Sequence, residues 1–186
     1  MDDPGSNFAI YEQHIDAVGA LHPKMPRTTI VRTRLLYQVL RLFSEDIEQF
    51  FTQFGVSASA WAVLMMIYSQ PERRANPSLL SEYLVQSRTH MTRVADELVG
   101  KQFLRREPNA TDRRRIDLVL TDEGTALVRH VMPLSWEHFE TMFGDFNDQE
   151  SQQLEALMRK LFASLHRARA AARQGSAAST QESADE

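Results

Sequence analysis

The sequence predicts a mainly α-helical fold that carries one small β-hairpin. Three observations predict it. Apolar residues recur at three- and four-residue steps through most of the chain, the spacing of an amphipathic helix. That period shortens to two only between about Phe103 and Leu120. Gly, Pro and short polar breaks separate the runs. With 186 residues, 42% of them hydrophobic and 25% charged, the chain suits one domain with an extension, or one compact domain with tails.

The elements follow in order. Residues 1–29 mix short apolar stretches with Pro4, Gly5, Pro23 and Pro26 and form an N-terminal extension, helical over Phe8–Leu21. A long helix is expected from about Thr29 to Phe54, where Leu36, Val39, Leu40, Phe43, Ile47 and Phe51 keep the period and Gly55 closes it. A second helix begins near Ser57 or Ser59, carries Trp61, Leu64, Met65 and Tyr68, and stops before Pro71. Gln70–Asn76 reads as a polar loop. A short helix over Ser78–Val85 is expected to face Leu79, Leu80, Tyr83 and Leu84 inward. Ser87 caps the next helix, Arg88 to about Lys101, whose inward stripe is Met91, Val94, Ala95 and Leu98. Phe103–Glu107 and Ile116–Leu120 read as strands joined by a turn with a basic tip. Thr121 caps a long helix that starts with Asp122 and Glu123, where the dipole favours carboxylates, and that Pro133 should kink. A last helix begins near Asp148 and carries Leu154, Leu157, Met158, Leu161 and Leu165. Residues 170–186 are Ala, Ser, Gln and acid, and are expected to be disordered.

A short helix, a tight turn and a second amphipathic helix make a helix-turn-helix, and a basic hairpin directly after it makes a wing. The charge pattern fits that reading. The chain has a net charge of -4, yet the window Gln86–Arg115 holds eight basic residues against four acidic ones, a local +4 that leaves -8 for the rest. DNA responds to the local patch. With the apolar stripe inward, Thr89, Thr92, Arg93 and Asp96 point outward and His90 lies on the flank. Side chains near the start of such a helix reach base edges in the major groove, and an arginine there can hold guanine with two hydrogen bonds. Ser87 and Arg88 suit a phosphate at the helix N-terminus. Arg113, Arg114 and Arg115 suit a narrow minor groove, where negative potential is greatest. The candidate partner is double-stranded DNA.

Other classes find less support. The chain has no cysteine, so disulfides and thiolate metal sites are excluded. His14 and His22, and His130 and His138, are eight residues apart, which is not the spacing of a helical metal pair, so no metal and no cofactor is expected. There is no Gly-rich phosphate loop and no nucleophile elbow, so the chain is not read as an enzyme. No apolar run approaches the roughly 18 residues of a membrane span, and no secretory signal is visible, so a cytoplasmic location and no membrane partner are expected. The stripe Trp61, Met65, Tyr68 reads first as core and second as a candidate ligand-binding box.

Three stretches resemble the MarR family: Ser87-Arg-Thr-His-Met-Thr-Arg-Val-Ala-Asp-Glu-Leu98, Leu104-Arg-Arg-Glu107, and Asp112-Arg-Arg-Arg-Ile-Asp-Leu-Val-Leu-Thr-Asp-Glu-Gly124. The resemblance runs from about Val31 to Leu165 and is nearest to the EmrR/MprA-like multidrug-efflux repressors. It implies a homodimer in which residues 30–56 and 125–169 form the dimerisation region and 57–124 the winged helix-turn-helix domain. It implies a pseudo-palindromic operator, and a small aromatic or phenolic effector that releases it, with efflux or aromatic catabolism under control. It also implies that Arg114 enters the minor groove and that Asp112 braces the wing through an arginine. An activator, a ligand-independent regulator and a winged protein–protein interaction module remain as alternatives. Gln102 departs from the family, which usually has Gly there. A non-Gly residue in a left-handed cap costs energy, so the helix is expected to end at Gly100.

Overall fold

The computed structural model describes residues 4–109, 111–112 and 114–182. They fall into two compact units, divided between Val131 and Met132. In the first unit, α1 (Pro4–Leu21) packs on α2 (Arg27–Thr52), and Arg27 donates to both carboxylate oxygens of Asp16. α3 (Ala58–Tyr68) is the most apolar helix and becomes the centre, because Ala60, Val63, Leu64 and Ile67 leave no solvated face. It touches α2, α5 and the sheet. The Ser57 hydroxyl starts it by accepting from the Ala60 amide at 3.1 Å. Phe51 of α2 stacks on Trp61 with ring centroids 5.0 Å apart.

Three strands form an antiparallel sheet in the order β1-β3-β2. β2 (Leu104–Pro108) and β3 (Ile116–Leu120) are the expected hairpin, in the register Leu104↔Leu120 and Glu107↔Asp117. The expected loop Gln70–Asn76 is different. It holds one turn of 3-10 helix and a two-residue strand, β1 (Arg74–Ala75), which pairs with β3. Two residues give no readable period, so the pairing arises only where β3 offers a free edge.

α4 (Pro77–Tyr83) is shorter than expected and buries only Leu80 and Ser81 fully. Leu79 and Tyr83, expected inward, are exposed, because a two-turn helix presents a single narrow stripe to the core. α5 spans Arg88–Gly100, and its inward stripe Met91, Val94, Ala95 and Leu98 is buried throughout. The helix ends at Gly100, yet Gln102 takes the left-handed conformation itself, at φ 63°. The backbone amides of Gln102 and Phe103 close that turn on Val99 and Leu98. α6 (Asp122–Met142) begins under Thr121, whose hydroxyl accepts from the Gly124 amide at 2.9 Å. Gly124 is fixed by space: a Cβ there would lie 2.2 Å from the Phe103 carbonyl oxygen. α6 stays helical through Pro133, and the boundary between the units lies beside it.

The second unit holds the end of α6 and α7 (Asp148–Glu182). Asn147 and Glu150 form a reciprocal cap, each side chain accepting the other's amide at 3.0 Å. Over 170–182, part of the stretch expected to be disordered, α7 continues; 183–186 lie outside the described residues. Ala, Arg and Gln are strong helix formers, and no proline interrupts them, so an existing helix propagates. Within this unit α7 leaves Leu157, Met158, Leu161, Phe162 and Leu165 exposed. Within the first unit α2 likewise exposes Leu35, Leu36, Val39, Leu40 and Phe43.

Candidate nucleic-acid interface

The turn between α4 and α5 sets the angle of α5. Val85 adopts φ 52°, and the Ser81 hydroxyl donates to the Gln86 carbonyl at 2.8 Å. The Ser87 hydroxyl then accepts from the His90 amide at 3.2 Å and starts α5. On the outer face Thr89, Thr92 and Arg93 are exposed, and His90 is half-buried on the flank. Thr92 donates its hydroxyl to the Arg88 carbonyl at 2.9 Å. Asp96 also faces outward, but it is committed: Arg106 of β2 reaches it at 2.6 Å. It therefore ties the hairpin to α5 instead of meeting a base.

The hairpin tip is a nest of short bonds. The Asn109 side-chain oxygen accepts from the Thr111 amide, the Thr111 hydroxyl and the Asp112 amide within 3.0 Å. Asp112 accepts from the Arg114 amide at 3.1 Å, and the Arg115 guanidinium stands 3.5 Å from its other oxygen. Asp112 is expected to brace the wing through an arginine, and the arginine within reach of it here is Arg115. Arg114 is exposed. Arg113 lies outside the described residues.

The cations of this region divide into two sets. Lys101 is held by Glu97 and the Gly55 carbonyl, Arg105 by Glu107, Arg106 by Asp96 and Arg115 by Asp112. Arg88, Arg93 and Arg114 have exposed guanidiniums with no protein partner among the described residues. The uncommitted positive charge thus sits on the start of α5, on its outer face and on the hairpin tip. Sequence reasoning missed this division. The acids interleaved in the basic window were its signal, but pairing depends on rotamers and strand register.

The candidate ligand residues part company. Trp61 is buried in the core against Phe51, whereas Met65 and Tyr68 are half-buried. The Arg73 guanidinium covers the Tyr68 ring, 3.9 Å from its centroid. Hydrogen bonding from Arg73, then from Arg129, holds the Tyr68 phenol below its ordinary value, and their positive charges act in the same direction. One guanidinium nitrogen of Arg73 is buried without a hydrogen-bond partner. Among the described residues no group of three or more His, Cys, Asp or Glu is placed to hold a metal ion, and no helix is long and apolar enough to cross a membrane.

Comparison with known proteins agrees with this geometry. The MarR family model matches residues 56–116, the segment from the start of α3 through the hairpin tip. The transcriptional repressor MprA of Escherichia coli strain K12 is 30% identical over 160 residues, which is 86% of this chain and 91% of that protein. Among solved structures, Sco3205 of Streptomyces coelicolor, a MarR family regulator in complex with DNA, superposes with a TM-score of 0.70 at 20% identity, over 76% of this chain and 89% of that one. BpsR of Bordetella bronchiseptica superposes with a TM-score of 0.62 at 21% identity, over 69% of this chain and 91% of that one. Its structure is described as the mechanism by which 6-hydroxynicotinic acid regulates its DNA binding.

Proposed function

Because this chain belongs to the MarR family and is a DNA-binding transcriptional regulator, we propose that it acts as a homodimeric repressor that a small aromatic acid releases from its operator. One observation carries the DNA-binding part. Among the described residues Arg88, Arg93 and Arg114 are exposed and unpaired, while Lys101, Arg105, Arg106 and Arg115 are paired with carboxylates. An arginine without a carboxylate is free to displace counterions from phosphate or to read a base. Ser87, Thr89, His90 and Thr92 complete the α5 surface; Arg113, outside the described residues, and Arg115, which DNA would have to draw from Asp112, are the further candidates by sequence. Repression and dimerisation rest on the relatives, one of which is named a repressor. The exposed apolar faces of α2 and α7 support a dimer, since a monomer would leave them in water.

The effector reading rests on Tyr68. Met65 lies half-buried about one turn before it on α3, and Arg73 and Arg129 supply positive charge beside a phenol, a surface that favours an aromatic anion. The regulated genes would serve efflux or aromatic catabolism.

The test is an anisotropy titration of the full chain on a duplex from its own promoter region. Saturable binding should weaken linearly in log–log terms with salt, and footprints should mark two half-sites roughly 34 Å apart. Absence of specific binding at low salt would refute the reading. A panel of phenolic acids, beginning with 6-hydroxynicotinic acid, tests release separately.

A further inference from the structure

We propose that Arg74 is the positioning residue of the wing: a cation from outside the hairpin that holds two opposed carboxylates together and so fixes the tip that carries Arg114. The strand register places Glu107 directly opposite Asp117. Like charges across one rung destabilise a hairpin. Asp117 is also buried, at 3% exposure, where a lone carboxylate is costly. Arg74 resolves both problems from the neighbouring strand β1. Its guanidinium lies 3.0 Å from Glu107 and 4.0 Å from Asp117, with Glu72 at 3.3 Å on its third nitrogen. Arg105 also binds Glu107, but it belongs to the same strand and is more than half exposed, so it cannot tie the hairpin to the body.

The clamp reaches the tip through one residue. Asp117 accepts from the Asn109 side-chain amide at 2.8 Å, and its other oxygen is buried without a hydrogen-bond partner. Asp117 therefore depends on Arg74 and Asn109. Asn109 in turn organises the tip through its three acceptor contacts. Arg74, Asp117, Asn109 and the tip form one continuous chain of charge and hydrogen bonds. Arg74 touches no surface that would meet DNA in this account; its effect passes through the hairpin.

The experiment compares the full chain, Arg74→Met, and the triple variant Arg74→Met/Glu107→Gln/Asp117→Asn. The probe is a duplex that the unmodified protein selects from a randomised pool. Each protein is checked for native circular dichroism and for its assembly mass. Arg74→Met should bind about tenfold more weakly, the share of a single well-made DNA contact. Hydroxyl-radical protection should fade at the flanks touched by the wing and persist at the α5 contacts. The triple variant removes the repulsion together with the clamp, and should recover to within about threefold. If Arg74→Met binds as tightly as the parent, the proposal is overturned. It is equally overturned if the triple variant folds but stays weak, because the loss would then not arise from opposed charge. Should Arg74→Met fail to fold, the triple variant decides alone: native folding and recovered binding support the clamp, and any other result rejects it.

Discussion

Arg114 stands on the hairpin tip with its guanidinium unpaired among the described residues, and Asp112 meets only its backbone amide, so Arg114→Ala removes one charge and little else. Operator binding should weaken by about 1–3 kcal/mol, and the salt slope should fall by about one. A salt series by anisotropy reads both, and an unchanged slope would deny Arg114 a place against phosphate. Val85 poses the opposite case. It is β-branched, 84% exposed and held at φ 52°, a region that side chains rarely enter. Val85→Gly should raise stability by about 1 kcal/mol, since strain is relieved and almost no packing is lost. Chemical denaturation measures this, and a lower midpoint would mean that Val85 contributes contacts its exposure hides. At Gly124 no such freedom exists. Gly124→Ala drives a methyl against the Phe103 carbonyl, and should cost about 1–3 kcal/mol in the same assay. An unchanged midpoint would place the turn elsewhere.

At the level of elements, the hairpin is an electrostatic object as much as a hydrogen-bonded one. Arg105, and then Arg74, hold the Glu107 carboxyl below the usual carboxylate range. The sign follows from that depression. Glu107 contributes stability to the hairpin at any pH above its ordinary value. The contribution is lost as acidification carries the solution through that value toward the lower one of the folded state. Amide exchange in β2 and β3 should therefore quicken over that interval more than exchange in α3, and Glu107→Gln should flatten the response. Equal acceleration in both elements would assign the effect to global unfolding. The Asp96–Arg106 pair works differently. Both side chains are about half exposed, so the pair adds little to stability, but it fixes which face of β2 follows α5.

For the whole molecule, the decisive feature is apolar surface that one copy leaves uncovered. In the second unit, Leu161 and its neighbours on α7 form a stripe at helical spacing that faces water. Leu161→Asp should place an unpaired charge in the proposed dimer contact. Sedimentation should then report a monomer, with DNA binding lost through failure to span two half-sites. A stable dimer after this change would move the interface off α7.

Some of this was legible in the residues themselves. The helix-turn-helix, the hairpin and the inward stripe of α5 follow from local periodicity and from the caps at Ser57, Ser87 and Thr121, because those signals need no distant partner. The outward set Thr89, Thr92 and Arg93 followed from the same period. Tertiary structure decided the remainder. It paired Arg74 with Glu107 across 33 residues, gave the outward-facing Asp96 a partner in Arg106, made a strand of two residues, and left Met65 and Tyr68 half-buried on the same helix as the buried Trp61. Local period reports which face of an element is apolar. It carries no record of which distant charge will arrive at the other face, and that arrival separates the arginines left unpaired among the described residues from those paired within the fold.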